Sequence, residues 1–71
     1  MYKIKDLQFE DRPYFAGGQI FKSKREACEQ IISYHEIDND MTHERALLET
    51  GQIDECWQEL SYFEWELEKI N

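Results

Sequence analysis

The longest regular run of apolar positions lies between Gly51 and Asn71, where Ile53, Cys56, Trp57, Leu60, Phe63, Leu67 and Ile70 recur at spacings of three and four. Residues so spaced fall on one side of a helix turning ~100° per residue, which predicts a helix over about residues 52–70 with this stripe buried. The same step puts Tyr62 and Trp65 on the far side among Glu55, Gln58, Glu59 and Glu66, so two aromatic rings are expected to face solvent between carboxylates.

Earlier in the chain the period changes. Met1 to Phe9 is rich in strand formers, with Tyr2 and Ile4 in one alternating phase and Leu7 and Phe9 in the other, and the phase slips near Lys5 and Asp6 as a bulge would cause. Asp11-Arg12-Pro13 and Ala16-Gly17-Gly18 are turn signals, and Gln19 to Lys22 makes a short second strand. These segments predict an antiparallel hairpin over residues 1–22 with its loop between Glu10 and Gly18, preferred over a tighter turn centred on Gly17-Gly18 because the first strand needs a partner of comparable length.

Ser23-Lys24-Arg25-Glu26 matches a capping box and starts a helix over about 24–37, with Ala27, Cys28, Ile31, Ile32, Tyr34 and His35 inward and Glu26, Glu29, Ser33 and Glu36 outward. Ile37-Asp38-Asn39-Asp40 stops it. Asp40 or Thr42 then caps a short helix over about 42–50, with Leu47 and Leu48 inward and Gly51 as its stop. The order ββααα places the chain in the α+β class: one domain over 1–71, a hairpin packed on two longer helices and one short one.

Composition narrows the function classes. The chain of 71 residues carries a net charge of -8 with 41% apolar residues, too much hydrophobic content for a disordered protein. Residues 1–25 hold six bases and three acids, net +3, and residues 26–71 hold thirteen acids and two bases, net -11. No apolar run approaches the ~18 residues of a membrane span, and MYKIKDLQF lacks a signal-peptide core, so a cytoplasmic protein without membrane contact is expected. Cys28 and Cys56 both fall on apolar helical faces, as buried free thiols do.

Candidate chemistry is sparse. Asp38-x-Asp40-x-Thr42 with Glu49 in twelfth place fits part of a calcium loop, but His43 stands where the turn requires glycine, and a helix stop followed by a cap explains the same residues. Cys28, His35, His43 and Cys56 have a zinc ligand count without the close pairs of a structural zinc site. No nucleophile has an obvious base and no glycine-rich phosphate loop is present, so neither an enzyme nor a cofactor or metal is expected. Direct nucleic-acid binding is opposed by the acidic majority, although Lys3, Lys5, Lys22, Lys24 and Arg25 could form a small basic patch.

The opposite match is better. A basic DNA-binding protein selects for regularly spaced negative charge, and on one helix Glu55, Glu59 and Glu66 would lie at axial offsets of about 6 and 10 Å. Glu26, Glu29 and Glu36 form a second row, Asp38 and Asp40 extend it, and Tyr62 and Trp65 supply apolar anchoring. The plainer alternative is that these faces are merely solvated. The exposed rings could also form a homodimer seam.

Phe21-x-Ser23-x-x-Glu26, followed by Ile31-Ile32-Ser33-Tyr34-His35-x-Ile37-Asp38, resembles small bacteriophage proteins with a strand-pair-then-helix opening. In size and acidity the chain is also similar to phage host-takeover proteins that imitate DNA, such as inhibitors of the nucleoid protein HU and of uracil-DNA glycosylase. That second likeness implies a class of function, a non-catalytic inhibitor occupying the DNA site of a basic host protein, with HU the most specific expectation. The alternative is a phage structural or adaptor protein that binds through exposed aromatics.

Overall fold

The structure, a computed structural model, describes residues 1–70; Asn71, the last residue of the expected domain, lies outside the described residues. The chain runs β1 (Tyr2–Asp6), α1 (Lys24–His35), α2 (Thr42–Glu49), α3 (Ile53–Ser61) and β2 (Trp65–Lys69), an α+β fold with three helices.

The sheet is formed by the two ends of the chain. β1 pairs antiparallel with β2 in the register Tyr2↔Lys69, Lys3↔Glu68, Ile4↔Leu67, Lys5↔Glu66 and Asp6↔Trp65. Each strand alternates, so Ile4, Leu67 and Trp65 face the helices while Lys3 and Lys5 meet Glu68 and Glu66 on the outer face. Lys5 Nζ lies 3.7 Å from Glu66 and 3.6 Å from Glu68. Part of the charge asymmetry between the chain's ends is thereby paired across the sheet.

This pairing corrects the expected hairpin. Segment 13–21 does reach the other edge of β1, where Tyr2 and Phe21 exchange two backbone hydrogen bonds of 2.8 Å and the Asp6 N–H donates to Pro13 at 2.9 Å. It forms only isolated bridges, Tyr2↔Phe21 and Lys5↔Tyr14, because a 3-10 turn at Phe15–Gly17 lifts the chain away between them. Ala16, Gly17 and Gly18 all take positive φ there. β1 runs regularly through Asp6 without the expected bulge, and Leu7 and Phe9 lie outside it and are exposed.

The final helix is also corrected: in place of 52–70 it ends at Ser61. Backbone hydrogen bonds from Phe63 to Leu60 and from Glu64 to Ser61 close a turn, and Glu64 takes a φ of 70° that reverses the chain into β2. Trp-Glu-Leu-Glu-Lys is a period-two sequence, and pairing with β1 outweighs about two and a half further turns of helix.

The other helices lie near expectation. Ser23 Oγ accepts the Glu26 N–H at 3.2 Å at the start of α1, and Gly51 takes a φ of 80° just past α2. α1 ends two residues short of 37, leaving Ile37 exposed. Arg25 donates to the Leu48 carbonyl at 3.1 Å and Lys24 pairs with Asp54 at 2.6 Å, tying α1 to the end of α2 and the start of α3. One core joins Ile4 and Trp65 from the sheet, Phe21 from the segment before α1, then Ala27, Cys28, Ile31 and Ile32 of α1, together with Met41, Leu48, Cys56 and Leu60. Among the described residues no helix is long and apolar enough to cross a membrane.

Candidate functional site

The residues expected to meet a partner are distributed over three places. On α3, Glu55 is exposed, Glu59 lies 3.9 Å from His43, and Tyr62 stands 73% exposed at the helix end. Glu66 does not extend that row. It belongs to β2 and pairs with Lys5 on the outer face of the sheet, because the helix that would have aligned it with Glu55 and Glu59 has already ended. Trp65, expected outside, is 7% exposed and packs in the core, since alternation along β2 turns it toward the helices.

The second place is the junction of α1 and α2. Arg45 forms a two-pronged pair with Glu36, with both nitrogens 2.8 Å from its carboxylate oxygens. That hydrogen bonding holds the Glu36 carboxyl below its ordinary range and raises the guanidinium, which Glu49 and Glu29 stabilise further through their charge. Glu36, just past α1, and Glu49 of α2 share one shallow depression with Arg45, and Glu29 on α1 adds to the negative field there. Asp40 beside them accepts from both the hydroxyl and the N–H of Thr42, and these bonds lower its pKa. Glu26 is half-buried in the first turn of α1.

The third place was not foreseen as a site. Beneath the loop that follows β1 lies a groove of about 760 Å³, lined by Phe9, Tyr14, Phe15, Tyr34, His35, Phe63 and Trp65, with Asp6, Asp11, Arg12 and Asp38 among its polar residues. Five segments build it: the end of β1 with the 8–17 loop, the last turn of α1, the turn that follows it at Asp38, the turn after α3 and the first residue of β2. Tyr34, expected inward, is 55% exposed, while His35 sits half-buried at the edge of the core with its imidazole hydrogen-bonded to Trp65 of β2.

His35 organises this end of the molecule. Trp65 Nε1–H donates to His35 Nε2 at 2.8 Å, which assigns the imidazole proton to Nδ1. The ring also stacks on Phe63 with centroids 4.1 Å apart. Burial holds its pKa below the ordinary 6.5, consistent with a neutral acceptor. Tyr34 meets Phe15, Trp65 and His35 edge to face at 5.5, 5.9 and 5.1 Å, and Phe15 meets Trp65 likewise at 5.5 Å. At the rim the Arg12 guanidinium lies over the Phe9 ring, 4.6 Å from its centroid. Among the described residues no basic side chain pairs with Asp11 or Asp38, and no hydrogen bond ends on either carboxylate.

Of the metal candidates, Cys28 and Cys56 lie in the core, His35 in the groove and His43 beside Glu59. Among the described residues no group of three or more His, Cys, Asp or Glu is arranged to hold a metal ion. In comparisons with protein-family models, curated proteins and solved structures, the chain matches none of them.

Proposed function

We propose that this protein is a non-catalytic acidic inhibitor that occupies the DNA-binding surface of a basic host protein, the phage-type role with nucleoid protein HU as the preferred target. The observation that carries the reading is the carboxylate cluster where α1 meets α2, with Glu36 clamped on Arg45 and Asp40 and Glu49 lining the same shallow depression, in a chain of net charge -8. Such a surface offers fixed negative charge to a cationic groove without the cost of ordering it on binding. Glu55 and Tyr62 add an exposed carboxylate and an exposed ring at α3, and a homodimer through Tyr62 is compatible with this use. The basic side chains of β1 are turned to the outer sheet face, where Lys5 is engaged by Glu66 and Glu68.

Calorimetric titration with purified HU tests the proposal. A complex is expected whose affinity falls steeply between 50 and 300 mM salt, as charge-driven association does. Neutralising Glu29 and Glu49 together with Gln should weaken it roughly fivefold or more at low salt, from two lost charge contacts. No heat of binding to HU, or an affinity indifferent to both salt and neutralisation, contradicts it. A second reading, an adaptor that binds an apolar partner, is favoured by the groove and by the exposure of Tyr34 and Tyr62, and it requires shallow salt dependence.

A further inference from the structure

We propose that the groove between the 8–17 loop and the end of α1 receives an arginine side chain from a basic segment of the partner. The inference rests on the proposed function only for the source of that arginine. A volume of about 760 Å³ exceeds one side chain and suits a side chain with its flanking backbone.

Charge selects a cation. Asp11 and Asp38 are exposed carboxylates with no cationic partner among the described residues, half-buried Asp6 adds a carboxylate that accepts the Gln8 N–H, and Arg12 is the one full positive charge on the lining. The imidazole adds none, because its Nε2 is occupied by the Trp65 donor. The aromatic lining selects a cation that tolerates desolvation and stacks on rings, which favours guanidinium over ammonium. The molecule already contains one such contact, Arg12 on Phe9 at the rim. Tyr34, 55% exposed, is the most accessible ring deeper in, and Asp38, four residues on in the turn after α1, lines the same groove. An entering guanidinium can therefore lie against Tyr34 and pair with Asp38.

The test is an NMR titration of the full chain with the acetylated, amidated pentapeptide Gly-Gly-Arg-Gly-Gly and its citrulline counterpart, which keeps the shape and removes the charge. The arginine peptide should shift the Trp65 indole N–H and the Tyr34 ring saturably, leave the Trp57 indole unmoved, and bind more weakly as salt rises. Asp38→Asn and Tyr34→Gln alter exposed positions and should each weaken binding about threefold or more. Arg12→Gln should tighten it, by removing the competing cation. Equal shifts with citrulline, weaker binding in Arg12→Gln, or shifts confined to the Glu29–Glu49 face overturn the inference. HU binding unchanged in Asp38→Asn and Tyr34→Gln also overturns it and leaves the proposed function standing. Peptide binding at the groove with no affinity for HU supports the groove and removes the proposed function.

Discussion

At the scale of single residues, His35 carries the clearest consequence for stability. Its neutral form accepts from Trp65, and burial lowers its pKa from 6.5 in the folded chain. The unfolded chain then binds a proton that the folded one refuses, so His35's contribution is fully present above pH 6.5 and is lost as the pH falls toward the folded value. Glu36 and Asp40 act in the same direction in a lower window, because their folded pKa values lie below 4.5 and 3.8. Urea midpoints should therefore fall first as the pH drops below 6.5 and again below pH 4.5, and His35→Phe should flatten only the first limb. An unchanged first limb in that variant contradicts the role given to His35. The thiols make a second prediction. Burial pushes Cys28 up to about 12, with Cys56 adding to the shift, and burial raises Cys56 as well. Both should resist a thiol-disulfide reagent at pH 8 until the chain is unfolded in urea.

At the scale of elements, boundaries written in local chemistry were legible and those written in distant pairing were not. Ser23 opens α1 and Gly51 closes α2 because a side-chain cap and a left-handed turn are short-range requirements. β2 carried no such mark. Leu60, Phe63, Leu67 and Ile70 continue the helical spacing of Ile53 and Cys56, and the reversal falls on Glu64, a residue that gives no turn signal. Its strand identity depends on β1, some sixty residues away in sequence, and on alternation across only five positions. The positive φ at Glu64 is testable, since left-handed backbone costs an ordinary residue roughly 1–2 kcal/mol and a β-branched one more. Glu64→Val should destabilise by about 1–2 kcal/mol in thermal melts, while Glu64→Gly should be close to neutral. Equal losses in both would argue against the turn.

At the scale of the whole molecule, the acids were legible as a composition and their partners were not. Glu66 and Glu36 look alike in sequence, yet one pairs with Lys5 across a sheet and the other anchors Arg45 between two helices. The groove was invisible because its lining comes from segments that the fold alone brings together, and because Tyr14 and Phe15 sit in what reads as a loop and Phe9 in what reads as the end of a strand. What remains of the anticipated surface is anionic and mostly helical, with Tyr62 outside and Trp65 withdrawn into the core. The most direct measurement of whether that surface stands in for a nucleic acid is displacement: fluorescence anisotropy of a labelled duplex bound to HU, titrated with this protein at low salt. The account predicts release of the duplex to its free anisotropy near stoichiometric addition, with release weakening as salt rises. A duplex that stays bound under a tenfold excess of the protein would contradict it.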